Sequence, residues 1–549
     1  MGTDLALVNG SVLGAPGASA IAIADGRITA VGGREVAHGA RETVDARGGL
    51  VMPGFDDAHI HLQGGAREAN GAQLYPLETV DEILDRIRVH ATARPDDTWV
   101  LGRGWLYAAF PGDMPTARQL DAAVPDRPAW MGCFDGHTGW ANSVAMRMAG
   151  VDRETPDPPN GVIVRDADRE PTGAFKEEAQ VLIDRIVPKP TEEDDRESVR
   201  HALAGLHAMG LTAAQDAWLE PVELAFWERV HAADELALRF RGALIMEPQQ
   251  TLAEWRDRLD AYEAQAFPLR GGARLDAGIL KGFVDGVVDS RTAALLDPYE
   301  DDTSTGLPAW APEQLDAFVG EADRRGWQVE LHAIGDRGVR MALDAYEHAA
   351  AVNGPWAGDP HGRGVAAGTH RRRHRVEHVE MIHAADIPRF GTLGVVASMQ
   401  PYHGDPSPIQ IGPWAANIGP DRARSAWSWR SIREAGGVLA LGSDWPVVPY
   451  DPFIALNNAV NRTTAHGQPV GGWSNEKLSI EAALDAYTAG SAFAAFADHR
   501  RGRVTPGMDA DVIVLDRDLL IAGPSAIIGT GVALTVLGGH IVHRSEALA

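Results

Sequence analysis

The chain has 549 residues, of which 45% are hydrophobic and 23% are charged, and its formal net charge is −26. This composition is that of a globular protein with a sizeable core, and it excludes wholesale disorder. The excess of acidic residues repels polyanions, so we expect no nucleic-acid partner. With Cys133 as the single cysteine, an internal disulfide and a cysteine-based zinc site are both excluded.

The sequence also indicates where the protein works. No apolar segment reaches the roughly 18 residues of a membrane-spanning helix. The first residues lack the basic segment and apolar stretch of a signal peptide. We therefore expect no membrane partner and a cytoplasmic location. The one dense basic run, residues 371–375, is interpreted as a solvent-exposed loop.

Both ends of the chain are rich in predicted strands. Short apolar segments separated by turn dipeptides lie near the N-terminus at 5–8, 21–24 and 28–31. Similar segments lie near the C-terminus at 511–516, 534–537 and 540–543. Dipeptides such as Asn9-Gly10 and Asp25-Gly26 favour hairpins. The pattern predicts one small composite β-domain, sandwich-like, formed by residues 1–53 and 496–549.

The middle of the chain, residues 54–495, alternates strands with helices. The predicted strands are 211–216, 239–246, 277–285, 328–332, 375–378, 395–399 and 438–444. Helix-forming residues recur at helical spacing in 312–325 and 339–351. This alternation predicts an α/β fold with a parallel sheet, either open and doubly wound or closed as a barrel. Residues 71–190 alternate less regularly and contain a turn cluster at 156–161, so we predict an insertion there.

A His-x-His motif ends the first strand of this middle region. In a strand, residues i and i+2 point to the same face, so His59 and His61 can direct two imidazoles at one point. A metal site needs that convergence. Taken alone, the motif is equally well explained by two histidines in a β-rich loop, because imidazole is common and the motif is short.

Four further candidates lie at the ends of later predicted strands: Lys281, His332, His378 and Asp444. In a (β/α)8 barrel, the carboxyl ends of the strands converge on one mouth. Each residue has a structural alternative: a buried core histidine for His332, a hydrogen bond to Glu377 or Glu380 for His378, a helix N-cap for Asp444 and an ion pair with Asp285 for Lys281. Their common position favours a metal site. Imidazole with carboxylate suits Zn, Fe, Co, Ni or Mn.

Over nearly its whole length the sequence resembles the amidohydrolase superfamily. The leading pattern Val-x-Pro-Gly-Phe-x-Asp-x-His-x-His is matched by residues 51–61, and residues 502–516 resemble the closing β-domain signature. The resemblance implies a (β/α)8 TIM-like barrel. It also implies two divalent ions, with zinc the first choice. By that resemblance His59, His61 and Asp444 hold one ion and His332 and His378 hold the other.

The same resemblance implies two further roles. Lys281 would react with CO2 to give a carbamate that bridges the two ions. Asp444 would act as general base and then general acid.

A narrower resemblance points to the amidohydrolase 3 branch, which includes YtcJ-like proteins and N-substituted formamide deformylase. The motifs that carry it are residues 102–105, 135–137 with Trp140 and Asn142, 171–173, 285–286 with 290–293, 399–401 and 442–446. Within this region His137 is a second catalytic candidate, which could bind the substrate carbonyl or its developing oxyanion, or could simply fix a loop. Weaker substrate-binding candidates are Trp105, Trp140, Arg291 and His403; the tryptophans could equally serve packing.

We therefore predict a metal-dependent hydrolase that cleaves a C–N bond of an amide-type small molecule, such as an N-formyl or N-acyl amine. Two alternatives stay open. One is an esterase, lactonase or cyclic-imide hydrolase with the same centre, and the other is a non-catalytic metal-binding regulatory protein. The residues that select the substrate and its leaving group lie in loops, and a single sequence gives little information about loop structure. A homodimer is a common outcome for such proteins.

Overall fold

The computed structural model describes residues 3–548 except 76, 135, 137, 160, 355, 357–371, 465 and 469–474. Its central sheet has eight strands in chain order, each parallel to the next. They are β1 (Phe55–Ile60), β2 (Leu211–Leu219), β3 (Arg239–Met246), β4 (Leu275–Phe283), β5 (Gln328–Ala333), β6 (Arg375–His378), β7 (Val396–Met399) and β8 (Val438–Leu441). The last strand returns beside the first, because Asp444 N donates to the carbonyl of His59.

These strands are buried on both faces, as parallel strands with helical crossovers must be. Every residue of β1, β3 and β5 is buried. The α-helices of the chain are Leu62–Ala69, Val80–Ala93, Ala117–Ala123, Ser143–Ala149, Val181–Asp184, Glu192–Ala208, Pro221–Ala232, Leu252–Ala266, Pro312–Arg324, Asp336–Asn353, Ile387–Leu393, Pro408–Ile418, Pro420–Ala423, Trp429–Glu434, Pro452–Asn461, Ile480–Asp485, Ser491–Ala494 and Leu519–Ala522. The predicted α/β barrel is confirmed, and the open doubly wound sheet is not formed.

Strands from both ends of the chain share one sheet. Its order is Ser11–Val12, Leu50–Pro53, Val512–Leu515, Val532–Leu537 and His540–Arg544. A second sheet uses only the N-terminal end, in the order Arg27–Gly32, Ala20–Ala24, Leu5–Val8 and Glu42–Asp45. Apolar residues of both sheets pack into one cluster that includes Leu7, Ile21, Val512 and Val536. The domain borders at 53/54 and 495/496 stay predictions.

Residues 62–202 form a second compact unit with its own sheet. The strand order is Gly161–Arg165, Pro171–Glu177, Thr138–Ala141, Ala129–Cys133, Val100–Trp105 and Ala72–Gln73. An aromatic core lies within it, where Phe110 meets both Trp105 and Trp140 edge-on. This unit covers the segment predicted as an insertion, whose limits near 71 and 190 stay predictions.

The interpretation of residues 371–375 as a solvent-exposed loop is wrong for the four residues the structure describes. Arg372 pairs with Asp323, and Arg373 pairs with Asp498. His374 and Arg375 are both 1% exposed. The basic character of the run reflects ion pairs inside the protein. No helix in the described ranges is both long and apolar enough to cross a membrane.

Candidate metal centre

The end of β1 carries the first two histidines into the mouth of the barrel. Asp57 Oδ1 accepts hydrogen bonds from the backbone N–H of His59 (3.1 Å) and of Ser443 (2.9 Å), which ties β1 to the segment after β8. Residue 442 must be a glycine for these segments to approach so closely, because a Cβ there would lie 2.6 Å from the backbone nitrogen of His59. This close approach brings Asp444 to the two histidines.

Asp444 lies between His59 and His61. Its Oδ1 is 3.4 Å from His59 Nε2 and 3.1 Å from His61 Nε2. Two atoms bound about 2 Å from one tetrahedral ion lie about 3.4 Å apart. The three side chains therefore have the spacing of ligands that share an ion.

The other two histidines lie next to each other on β5 and β6. The ring centroids of His332 and His378 are 4.5 Å apart, and those of His378 and His59 are 5.0 Å apart. His332 Nδ1 is 3.4 Å from Asp285 Oδ1. Asp285 also accepts backbone N–H groups from the segment after β5, which holds this carboxylate beside the histidine.

Two of the candidate ligands have strained backbones. His378 has φ 74° and Asp444 has φ 63°, values in the left-handed region that non-glycine residues seldom adopt. Such strain costs on the order of 1–3 kcal/mol and is found where a side chain must be aimed at a site. Here it turns both side chains toward the barrel mouth at the ends of their strands.

The buried donor atoms fit a divalent cation. Among the described residues, His59 Nε2, His332 Nδ1, His378 Nδ1 and Asp444 Oδ1 are inaccessible to solvent and lack a hydrogen bond of good geometry. Leaving such atoms without a partner costs free energy, which a bound ion would offset. One ligand atom from each of His59, His378 and Asp444 lies within 4.8 Å of the others.

Lys281 on β4 is 1% exposed and its Nζ lies 4.9 Å from the centre of the Phe283 ring. Burial lowers the pKa of Lys281. The lysine is also close enough that its charge, after burial, lowers the pKa of His59. A cation in this position opposes a bound metal, whereas a neutral or modified lysine does not.

A sequence profile described as "Amidohydrolase family" matches residues 42–543. The chain belongs to the amidohydrolase family. It is 30% identical to "Putative amidohydrolase YtcJ" of Bacillus subtilis over 96% of each chain. It is 28% identical to "N-substituted formamide deformylase" of Arthrobacter pascens over 94% of each. An uncharacterized metal-dependent hydrolase from Pyrococcus furiosus has a similar structure, with a TM-score of 0.71, 25% identity and coverage of 94% of this chain and 99% of that one.

These findings confirm the predicted family and support a metal-dependent hydrolase. In this amidohydrolase the carboxylate of Asp444 is held in its ionised form. Burial alone would raise the pKa of Asp444, but the imidazoles of His59 and His61 outweigh burial and lower it well below its ordinary value. An ionised carboxylate can bind a cation or accept a proton.

Of the candidate substrate-binding residues, the structure brings His403 to the centre. His403 Nε2 is 3.4 Å from Asp444 Oδ2, and its ring is nearly parallel to that of His378 at 5.7 Å. On its other side, His403 Nδ1 lies 3.5 Å from Glu380 Oε1. Glu380 Oε2 accepts the indole N–H of Trp414 at 2.7 Å, which fixes the carboxylate.

The other candidates are placed differently. Arg291 donates to Asn417 and pairs with Asp301 and Asp302. Trp105 and Trp140 are fully buried in the core of the second unit, where their indole N–H groups donate to backbone carbonyls. His137 lies outside the described residues. Roles for these four in substrate binding or catalysis stay predictions.

Sequence reasoning missed the carboxylates that contact the candidate ligands. Glu377 Oε2 lies 2.6 Å from His59 Nδ1, and Asp285 flanks His332. The sequence did contain an indication of carboxylates near the histidines. Glu330 precedes His332 by two residues on β5, so both side chains share a face of the strand. Charged residues inside a buried strand indicate polar contacts in the barrel interior.

Proposed function

We propose that this amidohydrolase hydrolyses a C–N bond of an amide-type small molecule, such as an N-formyl or N-acyl amine. The observation that carries the proposal is the set of buried ligand atoms on His59, His332, His378 and Asp444 that lack a hydrogen bond of good geometry. The likeness to a protein named N-substituted formamide deformylase, over 94% of both chains, supports the choice of bond.

We further propose two divalent ions, with zinc as the first choice. His59, His61 and Asp444 would hold one ion, and His332 and His378 the other. A carbamate on Lys281 would bridge them. Divalent ions supply Lewis-acid chemistry when bound: they polarise a carbonyl and lower the pKa of water. The lowered pKa of Lys281 supports the carbamate, since only the neutral amine reacts with CO2.

Asp444 is proposed to move the proton. Its ionised carboxylate faces His59, His61 and His403, so an oxygen atom is available to accept a proton from the attacking water and to deliver it to the leaving nitrogen. His403 is proposed to hydrogen-bond the substrate next to that oxygen. His137 is proposed as a second group at the substrate carbonyl.

The test is a substrate panel measured with metal analysis. Purified protein is reconstituted with zinc, manganese or cobalt, and the bound metal is counted. It is then assayed against N-formyl and N-acyl amines with their matched esters and lactones. We expect about two ions per chain and a higher kcat/KM for amides. A higher kcat/KM for the esters would favour the esterase alternative, and no turnover across the panel would contradict the proposal.

Mass spectrometry tests the lysine modification separately. Under native conditions with bicarbonate, we expect Lys281 to carry the added mass of one CO2. Lys281→Met, whose side chain is one atom shorter, removes the amine and cannot be carboxylated. An unmodified Lys281 in a fully active, metal-loaded enzyme would contradict the bridge and leave the hydrolase assignment intact.

A further inference from the structure

Below the proposed metal centre, a buried arginine in the barrel interior contacts several strands. Arg375 on β6 is 1% exposed. Its Nε donates to Glu377 Oε1 at 2.9 Å, and its Nη1 donates to Gln215 Oε1 at 2.6 Å. Its Nη2 donates to the Ala58 carbonyl at 2.6 Å and to Ser398 Oγ at 2.8 Å. Each guanidinium nitrogen thus has an acceptor.

These acceptors lie on different strands. Ala58 belongs to β1, Gln215 to β2, Glu377 to β6 and Ser398 to β7. Glu330 on β5 adds an ion pair, with 3.5 Å between its Oε2 and Arg375 Nη1. Because the fork of N–H groups is planar and rigid, these contacts fix the guanidinium in one orientation.

Glu377 connects the fixed guanidinium to His59, a proposed metal ligand. Its Oε2 accepts a hydrogen bond from His59 Nδ1 at 2.6 Å. With the proton on Nδ1, the lone pair of His59 is on Nε2, which is the atom 3.4 Å from Asp444 Oδ1. The carboxylate therefore selects both the tautomer and the direction in which His59 can bind a cation.

The carboxylate in turn depends on the arginine. Glu377 is fully buried, and both of its carboxylate oxygens have partners: Oε1 accepts from Arg375 Nε and Oε2 lies 2.6 Å from His59 Nδ1. A buried carboxylate that loses its guanidinium partner is costly and moves to find another. That movement would release His59 Nδ1.

We propose that Arg375 is a positioning residue of the metal centre, acting through Glu377 to hold the imidazole of His59 ready to bind the ion. The inference rests on the metal site of the proposed function. It does not depend on the reaction that the site performs, because Arg375 acts through its contacts with residues of the barrel strands.

The barrel supplies a matched control, a second buried arginine. Arg241 on β3 is 4% exposed. It pairs with Asp276, with 3.2 Å between Nε and Oδ2, and donates to Gln328 Oε1 at 2.6 Å. Asp276 and Gln328 lie at the starts of β4 and β5, at the opposite end of the strands from His59. A purely structural role predicts similar behaviour for both arginines.

The experiment compares Arg375→Lys with Arg241→Lys in the full-length protein. Cobalt affinity is measured by competition with a chelator, and the ligand geometry is followed by the visible absorption of bound cobalt. Circular dichroism reports folding. We expect a 10- to 100-fold weaker cobalt affinity and an altered spectrum for Arg375→Lys, since partners of ligating histidines have effects of that size. Arg241→Lys should keep the wild-type affinity and spectrum.

Glu377→Gln keeps the proposal testable if Arg375→Lys fails to fold. It retains the shape of the side chain and removes the charge, and we expect the same loss of affinity. Wild-type affinity in Glu377→Gln, or equal affinities in the two arginine variants, would overturn the proposal. The experiment uses no substrate. If the wild type binds cobalt but does not hydrolyse amides, that result contradicts the proposed reaction and leaves this inference intact.

Discussion

Charged groups are buried at both ends of the barrel strands, but their hydrogen-bond partners differ between the two ends. At the amino ends, arginines are hydrogen-bonded to their carboxylate partners: Arg239 to Asp511 at 2.9 Å and Arg501 to Asp56 at 2.9 Å. At the carboxyl ends, ligand atoms of the described residues His59, His332, His378 and Asp444 lie close together but lack a hydrogen bond of good geometry. Burial of polar groups must be compensated, so the amino-end pairs compensate each other, whereas the proposed cation would compensate the carboxyl-end groups.

The largest expected effect comes from changing the carboxyl end. Asp444→Asn removes the anionic oxygen that faces His59 and His61 and nearly preserves the shape of the side chain. We expect turnover to fall by about 10³-fold or more, because cation binding and proton transfer are both proposed to use that carboxylate. Turnover of the most active amide, with metal counted in the same sample, measures the effect.

A buried aspartate outside the centre is the control. Asp386 accepts hydrogen bonds from Arg340 and from the Arg389 side chain. Asp386→Asn should lower the melting temperature and leave turnover of the folded enzyme unchanged. Equal activity of Asp444→Asn and wild type would contradict the proposal that the carboxyl ends of the strands form the functional site.

The next effect concerns the amino end. Asp511→Ala leaves Arg239 buried without its bidentate partner, whose oxygens lie 2.9 and 3.0 Å away. Breaking a buried pair in this way costs about 3–5 kcal/mol of unfolding free energy, measured by urea denaturation. We expect no change in metal affinity. Asp516→Ala, which breaks the more exposed pair with Arg517, should cost about 1 kcal/mol or less.

The smallest effect is a pH dependence at Asp323. This carboxylate accepts hydrogen bonds from Arg372 (2.7 Å), Asn353 (2.8 Å) and His374 (3.0 Å). Burial raises the pKa of Asp323, but His374 and Arg372 outweigh it and lower the pKa from 3.8 to about 2. A depressed carboxylate pKa stabilises the fold above the unfolded value and loses that contribution as the pH falls through the folded value.

Asp323→Asn should therefore be less stable than wild type by about 1–3 kcal/mol at neutral pH. The difference should shrink as the pH falls from 3.8 to about 2. Acid denaturation curves of the two proteins provide the measurement. A difference that stays constant over that interval would show that the carboxylate charge does not stabilise the fold.

The sequence predicted the barrel well because its signals are local. Strands β3 and β6 have the predicted bounds, and the helix Pro312–Arg324 ends one residue before its predicted end. The six-stranded sheet of residues 62–202 was not predicted beyond an insertion, since its alternation is irregular and its strands are short. Its antiparallel pairings depend on contacts that no local pattern records.

The candidate ligands could be located from the sequence for a different reason from the groups that contact them. His59, His332 and His378 lie at the carboxyl ends of strands and Asp444 follows β8 by three residues, and the barrel brings strand ends together. Glu377 acts on His59 across 318 residues of sequence, and Arg375 was interpreted as part of an exposed basic loop. Such partners are set by side-chain orientation inside the closed barrel. The predictions of a homodimer and a cytoplasmic location stay predictions.

The hydrogen bond from Ser443 to Asp57 has a consequence for synthesis on the ribosome. Its two residues are separated by 386 positions. At 5–20 residues per second, His59 and His61 emerge about 20–80 s before the Asp444 carboxylate that lies between them in the folded protein. During that interval β1 lacks β8, and His59 and His61 lack the carboxylate that faces them in the folded protein. We expect the nascent chain to need a chaperone, and the ion to be selected only after release.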